Sequence, residues 1–168
     1  MADPKPHANP LFLTEEETRA GLDLLLAAAS AVSRVGEGLL ADRGIGRGHR
    51  RLLALIGRQP GVTLAELAAS LGLPKQSASR QIAELVERTL VAVRSHPSDG
   101  RRKALRLTPA GRELDDMLWT LERREIARAY RRAGAEAVDG FKMVMGDLAR
   151  IGGSAGRRPG AAGPRRRP

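Results

Sequence analysis

The sequence predicts a mainly α-helical protein with one small two-stranded β-hairpin. Three observations support this fold class. Two short amphipathic segments flank a tight turn between residues 63 and 88, two β-prone runs flank a cluster of turn-forming residues, and helical periodicity continues on both sides. A length of 168 residues fits one domain with a substantial core.

The first predicted element is a long helix that begins at Thr14. Thr14 can cap the helix, and the three glutamates after it suit the positive end of the helix dipole. Apolar residues then recur every three or four positions to about Glu37 or beyond. They are Leu22, Leu25, Ala29, Val32 and Leu39. This stripe can pack on its own domain or on a second subunit, and because residues 50–112 already build a winged-helix core, we favour the second subunit. Residues 1–13 are expected to form a flexible arm.

A connection rich in glycine and arginine follows, in which Gly44, Gly46 and Gly48 invite comparison with a phosphate-binding loop. The segment follows no predicted strand and lacks the P-loop Lys-Ser/Thr, so an ordinary connection is favoured. Its arginines, with Arg50 and Arg51, are candidates for phosphate contacts or for lining a groove. Four apolar residues then predict a short buried helix: Leu52, Leu53, Leu55 and Ile56.

Residues 63–88 carry the two amphipathic segments. Each segment has an apolar stripe at helical spacing. The stripes are Leu64, Leu67, Ala68 and Leu71 in the first, and Ala78, Ile82, Leu85 and Val86 in the second. Gly72 can adopt the positive φ that ends a helix, and Pro74 fits the first turn of the next one. Two short helices across such a turn are typical of a helix-turn-helix motif.

The outward face of the second helix favours binding to nucleic acid. Its polar residues are Lys75, Gln76, Ser77, Ser79, Arg80 and Gln81. None is acidic, and they lie at a helix N-terminus, where the dipole favours a phosphate. A helix in the DNA major groove reads base edges from these first turns. The alternative is an ordinary solvated face.

The predicted hairpin follows directly. Residues 91–94 and 104–107 are β-prone, and residues 96–100 are dense in turn formers. The basic side chains near this hairpin, with one acid, are Arg94, Asp99, Arg101, Arg102 and Lys103. A helix-turn-helix followed by a basic hairpin is a winged helix, and the hairpin, or wing, can lie along the minor groove.

Two further helices are predicted after the wing. Thr108 caps the first of them, with Pro109 at its first position, and the helix should run to about Arg132. The second is expected near residues 135–151. Both have apolar faces without an evident place in a winged-helix core, and Trp119 is interpreted as part of a subunit interface.

Residues 50–112 resemble the MarR (multiple-antibiotic-resistance regulator) family of winged-helix transcription factors. The similar segments, in the order and spacing of the family, are TLAELAASLGL, SASRQIAELVERTLV, Asp99-Gly100-Arg101 and LTPAGR. The resemblance implies a homodimer in which helices at about 14–40 and 109–151 flank a DNA-binding lobe at about 50–108. It also implies that a small-molecule effector, unidentified here, can relieve DNA binding through a pocket between the lobe and the dimerisation helices.

The same resemblance assigns individual roles and shows two departures. Ser79 and Arg80 would make the recognition-helix contacts, and Arg101 the wing contact, oriented by Asp99. Thr89 stands where the family usually has glycine, and a β-branched residue tolerates positive φ poorly. Val93 stands where the family has an arginine, and Arg94 follows it.

Composition agrees with a polyanionic partner. The formal net charge is +10, and the tail 152–168, expected to be disordered, holds five arginines and no acid. Residues 74–107 hold eight Lys/Arg against three acids. The absence of cysteine excludes disulfides, iron–sulfur sites and a cysteine-based sensor, and it fits the cytoplasm. Neither a membrane span nor a signal peptide is expected.

The sequence offers little for catalysis or for a cofactor. His7, His49 and His96 share no ligand spacing with acids, so no metal site is predicted. Asp115 and Asp116 are adjacent and cannot face one site on a helix, so they are interpreted as helix surface. No Ser-His-Asp grouping, nucleophile elbow or Walker sequence occurs. An enzyme is therefore not expected.

Three functions compete on these grounds. The leading hypothesis is a dimeric, sequence-specific DNA-binding regulator, a repressor in the cytoplasm at the nucleoid. The alternative is an architectural, nucleoid-associated protein with little sequence preference, which the basic tail would suit. A winged helix used only for protein contacts is disfavoured by the basic wing.

Overall fold

The structure of the protein, a computed structural model, describes residues 14–96 and 99–154, with only the backbone of residues 96, 99–101 and 151–154. Within these residues the chain forms seven α-helices and one two-stranded sheet. The elements are α1 Glu15–Arg34, α2 Glu37–Ala41, α3 Arg47–Arg58, α4 Leu64–Leu71, α5 Lys75–Glu87, β1 Val91–His96, β2 Asp99–Leu107, α6 Pro109–Ala133 and α7 Ala135–Ser154. The predicted fold class is confirmed. The expected arm, residues 1–13, and the basic tail beyond Ser154 lie outside the described residues.

The hydrophobic core lies between α2 and the first half of α6. Its largest fully buried side chains are Leu40, Leu52, Leu53, Ile56, Leu67, Leu85, Leu114, Leu118 and Val91. Neither α1 nor α7 contributes a buried side chain among those described. The core therefore joins the winged-helix lobe to α2 and to α6, and the two outer helices leave large apolar side chains exposed.

Local sequence accounts for the helix-turn-helix. The hydroxyl of Thr63 accepts a hydrogen bond from the Glu66 backbone, and the Glu66 carboxylate accepts one from the Thr63 N–H, closing a capping box at α4. Gly72 ends α4 at φ 62°, in the left-handed region, as predicted. Pro74 lies at the N-cap of α5, just before its first helical residue.

The wing is longer than the sequence predicted. β1 and β2 pair antiparallel, with Val91 opposite Leu107 and Val93 opposite Leu105, and the register is irregular between Ser95 and His96. Because β2 already begins at Asp99, part of the segment expected as a turn is extended strand. The backbone before α4 also pairs with β2, through the Leu105 N–H to the Val62 oxygen at 2.9 Å. The wing is thereby joined to the helix-turn-helix.

Thr89 adopts the left-handed backbone conformation that glycine favours. Its φ is +56°, the one positive φ found at a non-glycine residue in the described chain. The Leu90 N–H then donates to the Leu85 oxygen at 2.9 Å, which turns the chain from α5 into β1. Thr89 therefore makes the turn from α5 into β1 at a φ that a β-branched residue tolerates poorly.

Two expectations about helices were wrong. The first helix ends at Arg34 instead of at about Glu37 or beyond, because Gly36 leaves helical geometry, with φ −103° and ψ 8°, and becomes the N-cap of α2. Val86 was assigned to a buried stripe, but it is 37% exposed. The last helix also extends to Ser154, three residues beyond the predicted end.

Candidate nucleic-acid interface

Helix α5 presents a polar face over its first two turns. Lys75, Gln76, Ser79 and Arg80 are exposed, and Ser77 is partly buried. The opposite face is fixed in the core by three buried residues, Ala78, Ile82 and Leu85. Because that apolar face cannot rotate without losing burial, the orientation of the exposed side chains is set by the core.

Gln81 does not belong to this exposed face, contrary to expectation. It is partly buried, and its Oε1 atom is fully buried without a hydrogen-bond partner among the described residues. A Cβ built on Gly48 would lie 2.8 Å from that oxygen, so α3 approaches α5 closely at this point. Helical spacing alone placed Gln81 outside, whereas the neighbouring glycine on α3 makes room for it inside.

Arg80 extends into solvent from the middle of the polar face. Its side chain is 77% exposed, and its Nε lies 4.0 Å from the nearer carboxylate oxygen of Glu84. This distance exceeds that of a hydrogen bond. The guanidinium donates no hydrogen bond within the described residues, so it keeps its donors for another partner.

The basic residues of the wing fall into two groups. Arg94 on β1 and Lys103 on β2 are exposed. Arg102 instead donates from Nη2 to Glu66 Oε1 at 2.7 Å, which ties β2 to the first turn of α4. Asp99 and Arg101 lie at the start of β2, and their side chains are outside the described residues.

The pKa of Glu66 is lowered from 4.5 to about 2. The largest cause is the hydrogen bond from the Thr63 backbone, followed by those from the Thr63 hydroxyl and from Arg102. All three stabilise the carboxylate over the neutral acid. The carboxylate, and with it the ion pair with Arg102, is consequently retained at a pH below the ordinary pKa of 4.5.

Two interactions between helices were missed by the sequence reasoning. Arg50, expected among the phosphate contacts, forms a two-pronged hydrogen bond with Glu122, at 2.6 and 2.7 Å, and also donates to Asp115. Burial lowers the pKa of Arg50, but the bonds to Glu122 and Asp115 outweigh it and leave the pKa raised. Asp115 is therefore a partly buried ion-pair partner of Arg50. Its interpretation from the sequence as helix surface was wrong.

The second missed interaction joins His49 on α3 to Glu84 on α5, at 2.8 Å between Nε2 and Oε2. The two residues are 35 positions apart, and no local spacing signals their approach. Thus the orientation of α5 depends on polar contacts as well as on its apolar face.

An open groove lies on another side of the lobe, between α2 and α6, with a volume of about 790 Å³. Its lining combines apolar and charged residues, which include Leu39, Met117, Leu121, Arg112, Glu113 and Asp116. Among the described residues, no group of three His, Asp or Glu side chains is close enough to hold a metal ion. No helix of the described chain is long and apolar enough to cross a membrane.

A helix-turn-helix with an exposed polar recognition face and a basic wing defines a winged-helix DNA-binding protein. The comparisons with known proteins agree. Residues 43–102 match the model of the MarR family. The chain is 36% identical, over 135 residues, to the HTH-type transcriptional regulator PetP of Rhodobacter capsulatus, covering 80% of this chain and 81% of that protein. The chain belongs to the MarR family of DNA-binding transcriptional regulators, which are not enzymes.

Solved structures support the same assignment. CouR from Rhodococcus jostii RHA1, bound to p-coumaroyl-CoA, is 26% identical, with a TM-score of 0.65 over 75% of this chain and 89% of CouR. FabT of Streptococcus pneumoniae, in complex with DNA, is 16% identical, with a TM-score of 0.67 over 80% of this chain and 96% of FabT. The second similarity establishes the fold alone.

Proposed function

We propose that the protein is a dimeric, sequence-specific repressor that works on the nucleoid in the cytoplasm and that a small molecule releases from DNA. The observation that carries this proposal is the exposed face of α5. Lys75, Gln76, Ser79 and Arg80 are exposed there on a helix whose opposite face is fixed in the core. Side chains of this chemistry on the first turns of a helix suit base edges in the major groove.

In this proposal the wing provides the second contact with DNA. Arg94 and Lys103 are exposed on its two strands. From the sequence we assign a minor-groove contact to Arg101, which Asp99, two residues earlier, orients. Because Arg102 is paired with Glu66, we assign it the task of holding the wing in place, with a phosphate as its secondary partner.

The dimer interface is assigned to the helices outside the lobe, residues 14–40 and 109–151. Large apolar side chains are exposed there: Leu22, Leu24, Leu26, Trp119, Phe141, Met143, Val144 and Leu148. So many exposed large apolar side chains on two helices are unfavourable in water and are typical of elements that pack against another protein surface. Two-fold symmetry then predicts an inverted-repeat operator with half-sites about one helical turn apart.

The groove between α2 and α6 is our candidate for the effector site. Its apolar residues Leu39, Met117 and Leu121 suit an apolar ligand, and Arg112 suits an anionic group on it. The p-coumaroyl-CoA complex of CouR gives this proposal a precedent in a protein of similar fold. The ligand of the present protein is unidentified.

A titration separates the repressor from the architectural alternative. An operator is first selected from a pool of random duplexes by the intact protein. Binding of this operator and of unselected DNA is then measured by fluorescence anisotropy at several salt concentrations. We expect the operator to retain a preference of roughly a thousandfold or more as salt rises, since base contacts release no counterions. Similar affinities for the operator and for unselected DNA at every salt concentration, or no selected sequence at all, would favour the architectural protein.

A further inference from the structure

His49 holds two partners at once. It lies in the first turn of α3, with its side chain 12% exposed. Its Nδ1 accepts a hydrogen bond from the Gly46 backbone N–H at 3.1 Å, which caps α3. Its Nε2 lies 2.8 Å from Oε2 of Glu84 on α5, the recognition helix. The imidazole therefore bridges the start of one helix and the side chain of another.

These partners determine the tautomer of His49. The Gly46 N–H can only donate, so Nδ1 must accept and carries no proton. The Glu84 carboxylate can only accept, so Nε2 must carry the proton and donate it. A neutral imidazole satisfies both partners, and Glu84 keeps its negative charge with one oxygen bound.

The other oxygen of Glu84 faces Arg80, one turn earlier on α5. The distance from Arg80 Nε to Oε1 is 4.0 Å, and no hydrogen bond forms. On α1, by contrast, Arg19 and Glu15 have the same separation and form hydrogen bonds at 2.7 and 3.1 Å. The order of the residues is reversed at Arg80, which weakens such a pair, and the bond to His49 adds a restraint on the carboxylate.

We infer that His49 is a positioning residue for DNA recognition. By holding Glu84, it keeps that carboxylate from pairing fully with Arg80, so that the guanidinium remains available to a base or a phosphate. This inference rests on the proposed role of Arg80 in binding DNA. Without His49, Glu84 can swing toward Arg80 and compete with DNA for it.

The test uses the full chain and the operator selected by the wild-type protein, with binding measured by fluorescence anisotropy. His49→Leu removes the donor, and we expect operator binding to weaken about two- to fivefold, the factor that corresponds to one exposed ion pair. His49→Gln keeps both a donor and an acceptor and should bind within about twofold of the wild type. In a Glu84→Gln background, His49→Leu should cause no further loss, because the competing charge is gone.

Two controls separate this effect from a change in fold or in overall charge. Glu87→Gln removes one negative charge from the exposed end of the same helix, without a bond to His49. If Glu84→Gln and Glu87→Gln both raise the affinity for the operator, the gain that they share reflects net charge alone. Circular dichroism and urea unfolding establish that each variant is folded. The inference is overturned if His49→Leu weakens binding equally with Glu84 and with Gln at position 84, since His49 would then act through the fold.

Arg80→Ala distinguishes a failure of the inference from a failure of the proposed function. If this variant binds the operator as tightly as the wild type, the proposed role of Arg80 is wrong, and the inference falls with it. If Arg80→Ala weakens binding while His49→Leu does not, only the inference is wrong. In the Arg80→Ala background, the effect of His49→Leu should disappear.

Discussion

The guanidinium of Arg102 lies 2.7 Å from the carboxylate of Glu66, so the wing is tied to the first turn of α4. The same carboxylate accepts hydrogen bonds from the N–H and the hydroxyl of Thr63. One acidic side chain therefore caps the first helix of the helix-turn-helix and also anchors the wing. This arrangement joins the wing to the helix-turn-helix through a side chain that also caps α4.

The first prediction is that this anchor weakens in acid. The pKa of Glu66 is about 2 in the folded protein, below its ordinary value of 4.5. Because the folded state favours the carboxylate, the stabilisation is fully present above pH 4.5 and is lost as the pH falls toward 2. Urea unfolding of the wild type and of Glu66→Gln at a series of pH values measures this contribution. The difference in free energy of unfolding between the wild type and Glu66→Gln should shrink as the pH falls. A difference that does not depend on pH would contradict the assigned role of Glu66.

The second prediction concerns the link between the lobe and α6. Arg50→Met leaves the carboxylates of Asp115 and Glu122 close together without their cation, in a partly buried site. Removing one partner of a buried ion pair costs about 3 kcal/mol. Arg51→Met, on the adjacent and exposed residue of the same helix, is the matched control; it removes one hydrogen bond to the Leu71 backbone oxygen, at 3.3 Å, and should cost about 1 kcal/mol or less. Urea unfolding measures both variants. If they lose similar amounts of free energy of unfolding, the cluster of Arg50, Asp115 and Glu122 adds little to stability.

Sequence reasoning succeeded where local rules determine the structure. Thr14, Gly72 and Thr108 mark helix boundaries through their own chemistry, and the apolar spacing of α4 and α5 follows from burial of one face. Sequence reasoning failed where residues far apart in the chain determine the position of a side chain. Arg50 binds two acids that lie 65 and 72 positions later in the chain, which its own surroundings in the sequence do not indicate. Gln81 turned inward because Gly48 leaves space.

The third prediction is that Thr89→Gly stabilises the protein. Thr89 has a φ of +56°, which costs an L-residue about 1–2 kcal/mol and costs glycine almost nothing. The greater freedom of glycine in the unfolded chain offsets part of this gain, so we expect a net increase in stability of about 1 kcal/mol. Thr89→Ala retains the Cβ and should change stability much less. If both variants are equally stable in urea, strain at this φ is not the cause.

The fourth prediction is that Gly111→Ala destabilises the protein. A Cβ at Gly111 would overlap the backbone oxygen of Leu90, an atom that cannot move aside without shifting the start of β1. Overpacking of this kind costs about 1–3 kcal/mol. Gly38 provides the control, because it is an exposed helical glycine with open space around its Cβ position. Gly38→Ala should be neutral or stabilising by up to about 1 kcal/mol. A neutral Gly111→Ala in thermal unfolding would show that the chain relaxes at this site.

The last prediction tests the dimer through α1 and α7. Leu24 and Met143 are each 72% exposed, although helices at the surface of a monomer usually turn such residues inward. If these faces meet a second copy, an aspartate at either position places a charge in the interface of both subunits, because two-fold symmetry repeats each change. Burying an unpaired charge is strongly unfavourable, so Leu24→Asp and Met143→Asp should sediment as monomers.

Val93→Asp introduces the same charge at a 41% exposed apolar residue of the wing and should remain dimeric. Monomeric variants should also lose preference for an inverted repeat, since one recognition helix then reads one half-site. Unchanged sedimentation of both variants would place the interface elsewhere.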